Sequence, residues 1–175
     1  MDLGPVDRIT AGAVGEPGSR TFYLQARGGH ELVTVVVEKQ QVQLLAASIL
    51  ELLADLELET GTGPSDDQME LEEPVDARWR AGKLSIGYDQ DRQLFVLEIE
   101  EYLAELDDDE PELPPTRDAE PAVVQLAATR EQMFALSRYS ATLVERGRPT
   151  CQFCGNPIDP EGHACPAMNG HSARD

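Results

Sequence analysis

The hydrophobic pattern of this chain switches period twice, each time in the same direction. Phe22, Leu24 and Ala26 alternate with polar neighbours, and residues 31–37, Glu-Leu-Val-Thr-Val-Val-Val, are rich in β-branched side chains. Alternation of this kind predicts strands, because successive side chains of a strand point to opposite faces. Arg8–Val14 is a weaker strand candidate, set off by the turn Gly15-Glu-Pro17-Gly18-Ser19. Then Val42, Leu45, Ile49, Leu52, Leu53 and Leu56 recur at spacings of three and four, which predicts one apolar helical stripe over Lys39–Leu58. Gly61-Thr-Gly63-Pro64 stops the helix and opens a polar loop.

The order then repeats. Residues 75–82 lead into a strand, Lys83–Tyr88 alternates, Asp89–Arg92 turns, and Gln93–Glu100 and Ala122–Ala128 read as further strands. Thr129-Arg-Glu-Gln132 has the form of a capping box. It opens a second helix with Met133, Leu136, Ser140 and Leu143, or neighbouring Phe134 and Val144, on its buried side, closed by Gly147-Arg-Pro149. Segments match as well as order. Ala11-Gly12 answers Ala81-Gly82, Phe22-Tyr-Leu24 answers Phe95-Val-Leu97, and Val33-Thr-Val35-Val36 answers Val124-Gln-Leu126-Ala127. The helix starts Glu38-Lys-Gln40 and Arg130-Glu-Gln132 complete the set.

The expectation is an α+β body over residues 1–148, made of two duplicated β-β-β-α units (8–58 and 75–147). They would form a largely antiparallel sheet of about six strands with both helices on one face. An acidic, proline-bearing excursion over 105–120 interrupts the second unit. The junction between the units is a natural place for a cleft.

Composition narrows the partners. The 33 acidic residues outweigh 14 basic ones for a formal net charge of -19. That surface repels nucleic-acid phosphate and anionic membranes. No signal peptide and no run long enough to span a bilayer is expected.

The most specific chemistry lies in the tail, 149–175. Cys151-x-x-Cys154-Gly155, then His163-x-Cys165 and finally His171, gather all three cysteines and two of the three histidines. Thiolate and imidazole are zinc's preferred donors, and Pro157, Pro160 and Gly162 shape a short connection between them. An odd number of clustered cysteines argues for metal in a reducing compartment over a disulfide framework. The expected ligands are Cys151, Cys154, Cys165 and His163, with His171 as the alternate fourth. Four protein ligands close the shell, so the zinc is structural and offers no position to a substrate.

Other features weigh less. Glu98, Glu100 and Glu101 read as charged surface, His30 as an exposed turn residue, and Trp79, between Arg78 and Arg80, as core. Gly12-x-x-Gly15-x-x-Gly18 opens no helix, so it is no phosphate cradle. Ser19, Ser85 and Ser137 have no histidine at a readable spacing, which leaves nucleophilic catalysis without footing.

With Thr21-Phe-Tyr-Leu-Gln-Ala26 and Glu38-Lys-Gln-Gln-Val42 in the body, and Cys151-x-x-Cys154, Asp159-Pro-Glu-Gly-His163-x-Cys165 and Asn169-Gly170 in the tail, the sequence resembles the actinobacterial family of repeat proteins known as DUF3090. The resemblance covers almost the whole chain. It implies a cytoplasmic bacterial protein and favours His163 over His171; it carries no activity. The function expected is a non-enzymatic, zinc-containing binding or adaptor protein with a protein partner. The alternative is an enzyme or small-ligand binder using the cleft between the repeats.

Overall fold

The computed structural model describes residues 1–16, 18–103, 120–145, 151, 153, 154, 158, 165 and 166. Its elements run β1 (Asp2–Pro5), β2 (Arg8–Val14), β3 (Thr21–Gly28), β4 (Glu31–Val37), α1 (Lys39–Asp55), a 3₁₀ turn (Asp66–Met69), β5 (Ala81–Asp89), β6 (Leu94–Glu101), β7 (Val123–Ala128) and α2 (Arg130–Glu145). All but Glu120 of the acidic excursion lies outside the described residues, as do residues 146–150.

Each unit forms a three-stranded antiparallel meander, and the two ladders correspond register for register. Leu24 stands between Ala11 and Val35, and Leu97 between Ile86 and Leu126. Phe22 stands between Ala13 and Val37, and Phe95 between Tyr88 and Ala128. The alternation seen in the sequence is therefore the alternation of the core: Phe22, Leu24, Ala26, Phe95, Leu97 and Ile99 are all buried. One sequence match shifts. Gly12 faces Tyr23 and Gly87 faces Val96, so Gly87, not Gly82, occupies the position of Gly12.

The expected single sheet is two sheets, ordered β1-β7-β6-β5 and β2-β3-β4. The cause lies in the lead segments, which look too short and too mixed in sequence to read as strands. β1 pairs in parallel with β7, the last strand of the other unit. Residues 78–80 run parallel to β4, the last strand of the first unit. There, Val36 N donates to Trp79 O and Arg78 N to Thr34 O, both at 2.9 Å. Each lead then continues into the first strand of its own unit. At the other seam, Val6 N donates to Ala127 O and Asp7 N to Arg27 O, both at 2.8 Å. The units thus exchange their leads, and hydrogen bonds link the two sheets at both seams.

The helices are exchanged in the same way: α1 packs on β5 and α2 on β2. Their starts explain how. Gln132 Oε1 accepts from Thr129 N at 2.9 Å and Gln132 N donates to Thr129 Oγ1 at 3.2 Å, completing the capping box. The same side chain donates from Nε2 to Val6 O and Asp7 O. In α1 the matching residue is Gln41, one beyond Gln40. It accepts from Glu38 N at 2.7 Å and donates to Ala81 O and Gly82 O. One glutamine therefore caps each helix and clamps it to the other unit. The helices pack against each other where Ser137 Oγ donates to Ala46 O at 2.7 Å. Ser137 and Ala46 hold the same place counted from their N-caps.

The stretch 61–75, expected to be a polar loop, is a packed strap. Met69 is fully buried between α2 and β2. Thr10 Oγ1 donates to Met69 O, and Gln25 exchanges two hydrogen bonds with the Glu72 backbone, Glu72 N to Oε1 at 2.8 Å and Nε2 to Glu72 O at 3.1 Å. The Glu72 carboxylate then pairs with Arg27 and Arg8. Acidic composition hid this segment, since one buried methionine among charges has no period.

The Arg27 hydrogen bonds hold the Glu72 carboxyl below its ordinary value near 4.5, against a smaller opposing effect of burial, and Arg27 is raised in turn. A depressed carboxyl stabilises the fold above its unfolded value and loses that contribution as the pH falls through the folded one. Urea midpoints should therefore differ between wild type and Glu72→Gln by a constant amount at neutral pH, and the gap should close on acidification below pH ~4.5. A gap that widened toward acid would contradict the pairing.

Candidate metal centre

The three cysteines, the Cys151-x-x-Cys154 pair and the more distant Cys165, come together. Their sulfur atoms lie within 4.8 Å of one another, with Cys151 buried and Cys154 and Cys165 half-buried. Cys151 Sγ and Cys165 Sγ are 3.7 Å apart, well beyond a disulfide bond of about 2.05 Å. A tetrahedral zinc with Zn–S bonds of about 2.3 Å places its sulfurs about 3.8 Å apart. The donor set and its spacing therefore fit a thiolate metal site.

The local backbone prepares the first thiolate. In the Cys-x-x-Cys turn, Phe153 N points at Cys151 Sγ at 3.5 Å. That amide, then the Cys154 amide, draws the Cys151 thiol down from 9.0 to about 6; burial opposes this, and the neighbouring thiols add to it. Amide dipoles aimed at a sulfur favour its anion, and a thiolate is the form that binds metal. Sequence spacing identified the three cysteines but carried no sign that Cys151 is favoured as a thiolate. That depends on where two backbone N–H groups point. Both candidate histidines, His163 and His171, lie outside the described residues, as do Gly155, Pro157, Pro160 and Gly162.

Other residues singled out in the sequence fall in structural places. Ser137 spends its hydroxyl on the helix contact. Trp79 packs half-buried against the core, and His30 is exposed. Glu100 pairs with Lys83 across the ladder at 3.3 Å. Among the described residues no helix is long and apolar enough to cross a membrane.

An interlocked pair of β-β-β-α units carrying a three-thiol cluster at one end defines an α+β protein with a candidate metal site. Residues 1–165 match the family described as "Protein of unknown function (DUF3090)", and the chain belongs to that family. No curated protein and no solved structure matches it.

If the amides activate Cys151, the metal-stripped protein should be alkylated at this residue with a rate midpoint about pH 6. Iodoacetamide kinetics followed by peptide mass mapping would read it. A midpoint in the ordinary thiol range for Cys151 would contradict the arrangement.

Proposed function

We propose that this is a non-enzymatic binding protein whose C-terminal segment is organised by one structural zinc. The ligands are Cys151, Cys154, Cys165 and His163, with His171 the alternate in fourth place. The observation that carries this reading is the cluster of three sulfurs within 4.8 Å. Three thiolates and an imidazole suit zinc, and a closed four-ligand shell supplies rigidity rather than a Lewis acid open to substrate. Reduced thiols at ligand spacing support a cytoplasmic setting. The net charge of -19 favours a cationic protein partner over nucleic acid or membrane.

The matched registers, matched capping glutamines and matched helix contact support the descent of the two units from one duplicated β-β-β-α ancestor. The body, 1–148, and the zinc tail, 149–175, are read as separate parts, because the body's core does not draw on the cysteines. The alternative of chemistry at the junction gains little from the groove there. Leu44, Leu45, Leu84 and Ile86 dominate it, with Gln41 and Lys83 at its rim.

Metal analysis of the purified protein should find one zinc per chain. His163→Ala should weaken zinc affinity by more than about tenfold while His171→Ala leaves it unchanged. Chelation should expose the three thiols without altering the far-ultraviolet circular dichroism of the body. Zinc lost with His171→Ala and kept with His163→Ala would reassign the fourth ligand. Protein that takes up no zinc would overturn the reading.

A further inference from the structure

The two units present the same slot between a helix and a first strand, and among the described residues only one is filled. In the filled slot, the strap crosses α2 at Gly63, drops Met69 between α2 and β2, and lays Leu71 and Glu72 over the outer face of β2 and β3. Gly63 and Gly12 mark its path. A Cβ on Gly63 would come 2.5 Å from Glu131 O, and one on Gly12 would come 2.4 Å from Leu71 Cγ. Thr10 and Gln25 are buried on that outer face, and Ile9, Ala11, Ala135 and Leu136, on the two walls of the slot, are buried as well.

The counterpart slot lies between α1 and β5. Leu84 and Ile86 stand where Ile9 and Ala11 stand, and Leu44 where Ala135 stands. Here Leu84 and Ile86 are only half-buried and Leu44 is 60% exposed. The Lys83 side chain is 67% exposed where that of Arg8 is 23%. A Cβ on Gly87, the counterpart of Gly12, would meet nothing within 4 Å. The groove has a volume of about 300 Å³, room for a long apolar side chain.

We propose that this groove binds an extended, basic peptide of a partner protein. The peptide carries a methionine or leucine, followed by a lysine or arginine at the spacing that separates Met69 from Glu72. The strap sets the template, and the charges set the sign. Arg8 and Arg27 receive the Glu72 carboxylate in the filled slot. At the counterpart positions Lys83 remains, but Glu100 replaces Arg27 and Glu98 replaces Gln25. A carboxylate in the anchoring residue would be repelled there, and a cation would be paired. The polar row for reading the peptide backbone persists. Lys83 and Ser85 stand where Arg8 and Thr10 donate to the carbonyls of Gln68 and Met69. The inference deepens the binding-protein reading and rests on it for the existence of a partner, not on the zinc.

The probe is a synthetic peptide with the sequence of residues 63–73 in which Glu70, Glu72 and Glu73 are replaced by lysine, labelled for fluorescence anisotropy. It should bind the full-length protein and lose at least about tenfold in affinity with Leu44→Glu, an exposed position where circular dichroism should confirm an intact fold. The unaltered acidic sequence should bind at least about tenfold more weakly than the basic one. No binding of the basic peptide, or equal binding to Leu44→Glu, would overturn the proposal. Two results would assign the groove to another occupant and also overturn it. One is a dimer in light scattering that Leu44→Glu dissolves; the other is peptide affinity that rises when residues 149–175 are removed. Zinc measured on the same samples keeps the readings apart: full zinc with no peptide binding sinks the groove alone.

Discussion

The exchange of lead segments constrains everything else in this molecule. A β-strand edge with unpaired N–H and C=O groups must find partners. Here β4 finds residues 78–80 and β7 finds β1, each supplied by the other unit. Once those parallel pairs form, the first strand of each unit is carried to the far side of the body. The helix that follows the meander then packs on the other unit's first strand and on the other helix. Gln41 and Gln132 lock this arrangement by using their amides on carbonyls of the opposite lead. Neither unit keeps a covered core on its own. A single meander with one helix is close to the size at which burial fails to offset chain entropy.

Exchange also accounts for where the two units differ. The connection after α1 has to cross the body to reach the second lead, and on the way it fills the slot between α2 and β2. Burying one methionine there contributes roughly 1.5–3 kcal/mol, a sizeable share of a marginal stability. Beyond α2, the three cysteines form a cluster that could hold a metal ion. Glu98 and Glu100 hold the positions of Gln25 and Arg27, which receive the strap's glutamate in the first unit, so the slot between α1 and β5 would repel a copy of the strap.

Much of this was legible in the sequence because period is a local property. The stripes through Leu45 and Leu136, the alternation through Leu24 and Leu97, and the Thr129–Gln132 box all depend on neighbours within one turn or one strand. The matched segments at Phe22 and Phe95 are legible because both side chains are buried in the core. What the sequence hid is non-local. The partner of β1 lies at Gln125–Ala127, and a four-residue lead with a glycine and a proline has no pattern that names it. Met69 was hidden by its acidic neighbours. The cysteines were legible as a candidate metal-binding set, but the amides that favour the Cys151 thiolate follow from the turn's geometry and not from its spelling.

The direct test of the interlocked architecture is to separate the units. Residues 1–77 and residues 78–175 would be prepared as two fragments and followed by circular dichroism and amide hydrogen exchange, alone and mixed. The account predicts that each fragment alone lacks cooperative unfolding and protected strand amides, and that mixing restores both at equal stoichiometry. A fragment 1–77 that folds cooperatively by itself, with β2, β3 and β4 protected as in the full chain, would contradict it.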